Sequence, residues 1–178
     1  MIDRQMINST RNDMEQILMR ARIIHLLMAA MLFGGCAVQL APLYDKAVVD
    51  GMTVANRDAM VLFAEVSGGT AAASYQSRFG SYNRLIGSFD ALALQAKARP
   101  MPEIPAKADQ WLQKRGIPPV TDDEIPSAHA LEKIASTLTK MRDTDAKQGL
   151  TAVEVQAFKG QVSIYMDQAV TYEAFLER

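Results

Sequence analysis

One thiol, two imidazoles and a scatter of carboxylates are what this 178-residue chain offers for chemistry. The thiol, Cys36, follows Gly34-Gly35 at the end of an apolar run from Ile23 to Phe33, and Arg20 and Arg22 precede that run. Positive charge, apolar stretch, then small residues is the order of a secretory signal, with cleavage between Gly35 and Cys36. Of the imidazoles, His25 lies inside the run, which leaves His129 alone in the remainder. One histidine and one cysteine make no zinc set, and no Ser-His-Asp or Cys-His arrangement forms around a solitary ring. Gly68-Gly69 reads as a break between helices, with none of the spacing of a phosphate-binding loop. A net charge of −1 and a pI near 6.1 exclude a strongly basic nucleic-acid surface. No cofactor, metal or nucleic acid is therefore expected.

Phe33-Gly34-Gly35-Cys36 resembles the lipobox of bacterial lipoproteins. Gly35 is what that motif takes before the cysteine, while Phe33 stands where Leu, Val or Ile is usual. The resemblance implies that Cys36 is acylated and becomes the mature N-terminus. The run from Ile23 to Phe33 is shorter than the roughly 20 residues needed to cross a hydrocarbon core. Alternatives stay open: an uncleaved anchor over Ile23 to Ala41, with tilt and snorkelling making up the length; a buried helix of a cytosolic domain; or an ordinary buried thiol. Both membrane readings leave Arg20 and Arg22 in the cytoplasm and send the rest outward, by the positive-inside rule. Met14 and Met19 are alternative initiators, and residues 1–18 read as a start-site over-extension or at most a cytoplasmic extension removed with the signal.

The expected organisation is thus a signal over 1–35, a tether over 36–42 and a helical bundle over 43–178. Pro42 is placed to open the first helix, since its missing N–H is one of the donors left unpaired at that position. Tyr44, Val48, Met52, Ala55, Ala59, Leu62 and Val66 recur at steps of four and three, one buried stripe. Gly51 weakens this helix and Gly68-Gly69 ends it. The second helix enters at Ala72 to Ser74, with the stripe Tyr75, Phe79, Tyr82, Ile86, Phe89, Ala93 and Ala96, and Arg99-Pro100 closes it.

Residues 100–126 hold six of the seven prolines, which makes them the irregular part of the chain. A short helix over Ala106 to Arg115 is expected inside this connection. Trp111, on that helix, is the one candidate interaction residue. The plain expectation is that it plugs an open end or side of the bundle; the functional one is a binding role, because connections this long are otherwise uncommon. Ser127 is read as the cap of the third helix, with stripe Leu131, Ile134 or Ala135, Leu138 and Met141, stopped at Gly149. Thr151 and Glu154 form a capping box for the fourth, stapled by Leu150 and Val155. Its stripe runs Val155, Phe158, Val162, Tyr165, Ala169, Tyr172 and Leu176, a coiled-coil-like spacing.

Four such helices predict an all-α fold, a four-helix bundle of two antiparallel hairpins. Together with the lipobox-like start, the chain resembles small helical lipoproteins of Gram-negative envelopes, in whose uncharacterised members Tyr44-Asp45, the Tyr75…Phe79…Tyr82 helix and the Gly149-to-Glu154 junction recur. That resemblance implies architecture and place, and no activity; the favoured functional class is a non-enzymatic module, lipid-anchored and facing the periplasm, that binds an envelope protein or supports a larger envelope assembly. Ala37 after the cysteine, where Asp signals inner-membrane retention in enteric bacteria, points to the outer membrane. The alternative is a small-ligand binder or weak hydrolase built on Trp111 with Asp109, Asp122 and Glu124.

Overall fold

The computed structural model describes residues 41–103, 106–117 and 125–177. Five α-helices run through them: α1 (Lys46–Glu65), α2 (Phe79–Lys97), the short α3 (Ala106–Lys114), α4 (Pro126–Gln148) and α5 (Ala152–Leu176), with a 3-10 turn, Ala72–Ser77, leading into α2. The long helices form the expected all-α, four-helix bundle. Each packs on two neighbours, α1 on α2, α2 on α4, α4 on α5 and α5 back on α1, and the diagonal pairs do not meet.

The first stripe is buried as read, from Val48 through Val66, with Phe63 added beside it. Tyr44 is only half-buried, because α1 starts later than Pro42 suggests. Asp45 is its cap, the carboxylate accepting the Ala47 N–H at 2.8 Å. A Cβ at Gly51 would lie 2.5 Å from Leu92 Cδ2, so the glycine leaves room for the Leu92 side chain of α2.

The second stripe holds from Tyr82 to Ala96, with Ile86 half-buried beside the buried Leu85, but not at its start. Phe79 is 46% exposed, contrary to the expected core position, and meets Tyr75 edge-on with ring centroids 6.0 Å apart. Tyr75, in the 3-10 turn, packs half-buried against the core with its ring stacked 6.4 Å from Tyr82, while Phe79 opens α2 on its outer side. In α5 the buried line is Val155, Val162, Met166, Ala169 and Glu173; Phe158, Tyr165 and Tyr172 flank it, half-buried. The predicted stripe there was rotated toward the aromatics.

Two loops clasp each other at one end of the bundle. Thr70, after α1, and Leu150, before α5, form an isolated antiparallel bridge, Thr70 N–H donating to Leu150 at 2.7 Å and Leu150 N–H returning at 3.2 Å. Gly149 makes the approach possible, with φ 80° and ψ −177°, a region essentially restricted to glycine. A Cβ there would overlap the Thr70 carbonyl oxygen. We expect Gly149→Ala to cost about 1–3 kcal/mol, read as a lower urea midpoint; an unchanged midpoint would mean that the clasp contributes nothing. The capping box is present, Thr151 accepting from Glu154 N–H and Glu154 accepting from Thr151 N–H.

Candidate functional site

Among the described residues the interior of the bundle holds two buried ion pairs, one near each end. At the clasped end Asp145, fully buried, continues the α4 stripe four residues beyond Met141. Arg78, from the entry to α2, grips it with two bonds, Nε to Oδ2 at 2.8 Å and Nη2 to Oδ1 at 2.9 Å. The Tyr82 hydroxyl donates at 3.1 Å and the Thr70 hydroxyl donates to the other oxygen. Burial alone would raise the Asp145 carboxyl; the bonds from Arg78 and Thr70 and the Arg78 charge outweigh it and hold the group below its ordinary range. The Tyr82 hydroxyl is pushed up, by burial first and then by the Asp145 charge.

At the other end Arg99, just past α2, makes a two-pronged pair with Glu173 of α5, at 2.8 and 2.6 Å. Its remaining donors reach Ser127 Oγ at 3.1 Å, the Ala96 carbonyl at 3.1 Å and the Leu43 carbonyl at 3.5 Å. One guanidinium thus ties the end of α2, the start of α4, the end of α5 and the segment leading into α1. Ser127 serves here instead of as the expected cap: the helix already begins at Pro126, after Ile125, so the hydroxyl turns inward to Arg99. The four long helices therefore alternate in direction, and the proline-rich connection leaves and re-enters at the end where Leu43 lies.

Trp111 corrects another expectation. The short α3 buries none of its residues and packs on no other helix among the described residues, so Trp111 is no plug. It is 52% exposed, with the Arg115 guanidinium 4.1 Å above its ring. Asp109 accepts from Gln113 at 2.9 Å, within the same helix. Asp122 and Glu124 lie outside the described residues, so no triad of acids with Trp111 is on view. His129 is exposed on the first turn of α4. Cys36, its neighbour Gly35 and the whole apolar run likewise lie outside the described residues.

What sequence reasoning missed are the charged groups Arg78, Arg99, Asp145 and Glu173. A signal existed for two of them. Asp145 and Glu173 each fall on a buried helical line, where an acid without a partner is too costly to stand. Chemically, both carboxylates are saturated by their arginines. A surface groove runs between α1 and α2, with Asp58, Val61, Glu65, Ser81 and Arg84 on its walls, and a larger, shallower depression lies beside Lys140, Thr144, Lys147 and Glu154. Among the described residues no group of three metal-ligating side chains converges, and no helix is long and apolar enough to cross a membrane. No protein-family model, curated protein or solved structure matches the chain.

Proposed function

We propose that this chain is a non-enzymatic envelope module, anchored by lipid on Cys36, facing the periplasm and presenting its bundle to a protein partner, with the outer membrane as its site. The observation that carries the reading is the order Arg20, Arg22, apolar run, Gly34-Gly35-Cys36. The bundle supports an adaptor better than an enzyme. Its buried carboxylates are committed to arginines, and Trp111, the residue on which a ligand pocket would have centred, faces solvent. General acid–base work needs carboxyl groups held at a reacting atom, and Asp109 is engaged by Gln113 of its own exposed helix. A domain stabilised from within, with short loops at one end and the chain's long connection at the other, suits a passive scaffold on a tether.

The anchor is tested by growing cells with a radioactive fatty acid. The native chain takes up label and runs at the mass of a form beginning at Cys36. Cys36→Ala takes up none and stays at precursor mass. A native chain that remains in the membrane unlabelled and full-length would replace lipidation with the uncleaved anchor.

A further inference from the structure

Four surfaces stand unexplained: the α1–α2 groove, the depression beside Lys147, the outward face of α5, and the face of α3 around Trp111. The groove and the depression are each lined by both signs of charge, with no feature that selects an occupant. The α5 face carries Val153, Ile164 and Val170 exposed, but nothing beside it says what would cover them. On α3 the charges themselves describe the partner.

Lys107 stands four positions before Trp111, Lys114 three after it and Arg115 four after it. At those spacings all four side chains share one side of the helix. The Arg115 guanidinium accordingly sits 4.1 Å above the indole ring, which is 52% exposed. Asp109 and Gln113, two positions from Trp111 on either side, turn to the far side and bond each other at 2.9 Å. Among the described residues none of the three cations is paired with a carboxylate. The result is an aromatic ring set among unpaired positive charges on a helix that packs on no other described helix.

This face is held in shape by its own segment. Gly116 turns left-handed at φ 74°, its N–H donates to the Gln113 carbonyl at 3.0 Å, and the Ile117 N–H donates to the Leu112 carbonyl at 3.1 Å. That is a Schellman closure. A helix as short as α3, nine residues, gains little from propensity alone. The closure and the Asp109–Gln113 bond therefore help keep Trp111 and its cations arrayed before anything binds, which lowers the ordering cost of binding.

We infer that this face of α3 docks an acidic segment of a partner protein, with Trp111 entering an apolar pocket and carboxylates on the pocket rim meeting Lys107, Lys114 and Arg115. The inference rests on the adaptor reading above and names the chemistry of its partner. Tryptophan and arginine are the side chains that most often carry binding energy at protein interfaces, and like charges gathered on one face steer and orient an oppositely charged partner. Two other anionic surfaces fit less well. A helix lying in a bilayer interface keeps its apolar and charged residues on opposite faces, whereas here the ring sits among the cations. A nucleic-acid-binding domain is basic as a whole, and this chain has a net charge of −1.

The test uses the full chain in the cells that produce it, with a benzophenone-bearing amino acid in place of one residue. Position 108, three before Trp111, probes the proposed face; position 113 probes the far side of α3; positions 61 and 164 probe the bundle surface. Illumination should give a protein adduct from position 108 and little from 113, and the crosslinked partner peptide should carry net negative charge. With Lys107→Gln, Lys114→Gln and Arg115→Gln together, that adduct should fall about tenfold. The urea midpoint of the bundle should not move, because α3 packs on no other described helix. The crosslinked segment, synthesised and added to the purified native chain, should shift the emission of Trp111, the sole tryptophan, to the blue, and salt should reverse the shift. Adducts from 61 or 164 with none from 108 would leave the adaptor reading standing and overturn this inference. Protein adducts from no position would overturn both. A phospholipid or nucleic-acid adduct at 108, a partner peptide without net negative charge, an adduct indifferent to the three glutamines, or an emission that the peptide leaves unchanged would each overturn it as well.

Discussion

Asp145→Ala is expected to destabilise the bundle by about 3–5 kcal/mol, the range for removing one partner of a buried ion pair. The argument starts from Arg78, whose side chain is 12% exposed and whose charge has Asp145 as its partner. With the carboxylate gone, the guanidinium stays in the same low-dielectric place, and its desolvation is no longer offset. Thr70 and Tyr82 lose the oxygens to which their hydroxyls donate. Because Thr70 also accepts the Leu150 N–H at 2.9 Å, the loss extends to the clasp between the two loops. Urea unfolding of residues 37–178 gives the measurement: the midpoint falls and the slope stays put. A loss below about 1 kcal/mol would place Asp145 in the class of surface pairs and sink the argument.

The same site sets an acid limb. The Asp145 carboxyl titrates below its ordinary value in the folded chain, so its contribution is present above the unfolded value, near 4, and is lost as pH falls through the lower folded one. Stability of the native bundle should therefore decline below about pH 4 more steeply than that of Asp145→Ala.

Much of the fold could be read from spacing, because spacing is what packs a helix. Val48, Met52, Ala55, Ala59, Leu62 and Val66 repeat at helical steps and are all buried, and Leu131, Leu138 and Met141 do the same in α4. The rule failed where the backbone left the α-helical period or where apolar character was shared between two faces. Phe79 is the first residue of α2, and Tyr75 of the preceding 3-10 turn takes the place beside Tyr82, their rings stacked 6.4 Å apart. In α5, aromatic residues flank the buried line on one side and Val153, Ile164 and Val170 lie outside. With apolar residues nearly all round, choosing the aromatics as the stripe rotated it off Met166 and Glu173. Ser127 had the residue type of a cap, but Pro126 one place earlier sits more favourably in the first turn, and the hydroxyl was needed by Arg99.

The buried charges were harder to find, because each pair joins residues far apart in the chain. Arg99 looked like the residue that ends α2 before a proline, which it also is. Nothing local pairs it with Glu173, 74 positions away, or Arg78 with Asp145, 67 positions away. The available clue was one-sided: an acid on a buried line demands a cation, without saying which. Trp111 failed for a related reason. A lone tryptophan in a helical protein is usually covered, and only the placement of α3 away from the bundle shows that this one is not.

Glu173→Ala should cost about as much as Asp145→Ala, again about 3–5 kcal/mol, while Arg99→Met combined with Glu173→Leu should cost far less than Glu173→Ala alone. The single change strands Arg99, whose side chain is 7% exposed, among Ser127, the Ala96 carbonyl and the Leu43 carbonyl. Those neutral acceptors hold its hydrogens but do not balance its charge. The double change removes the stranded charge and fills the space with apolar atoms, and such replacements of buried pairs are often neutral or stabilising. Unfolding midpoints in urea for the two singles, the double and the native chain close a cycle that isolates the coupling. Arg99→Met alone should resemble Glu173→Ala, since a buried carboxylate without its cation is no better placed. A further consequence is specific to this end of the bundle. Arg99 is what brings the start of α4 and the segment before α1 to the ends of α2 and α5, so the double variant should regain stability yet lose order there. Hydrogen exchange at Leu43, Tyr44 and the first turn of α4 should then quicken while exchange near Asp145 does not. If the double variant is as unstable as Glu173→Ala, the cost lies in packing, and Arg99 is not the tie that the geometry makes it.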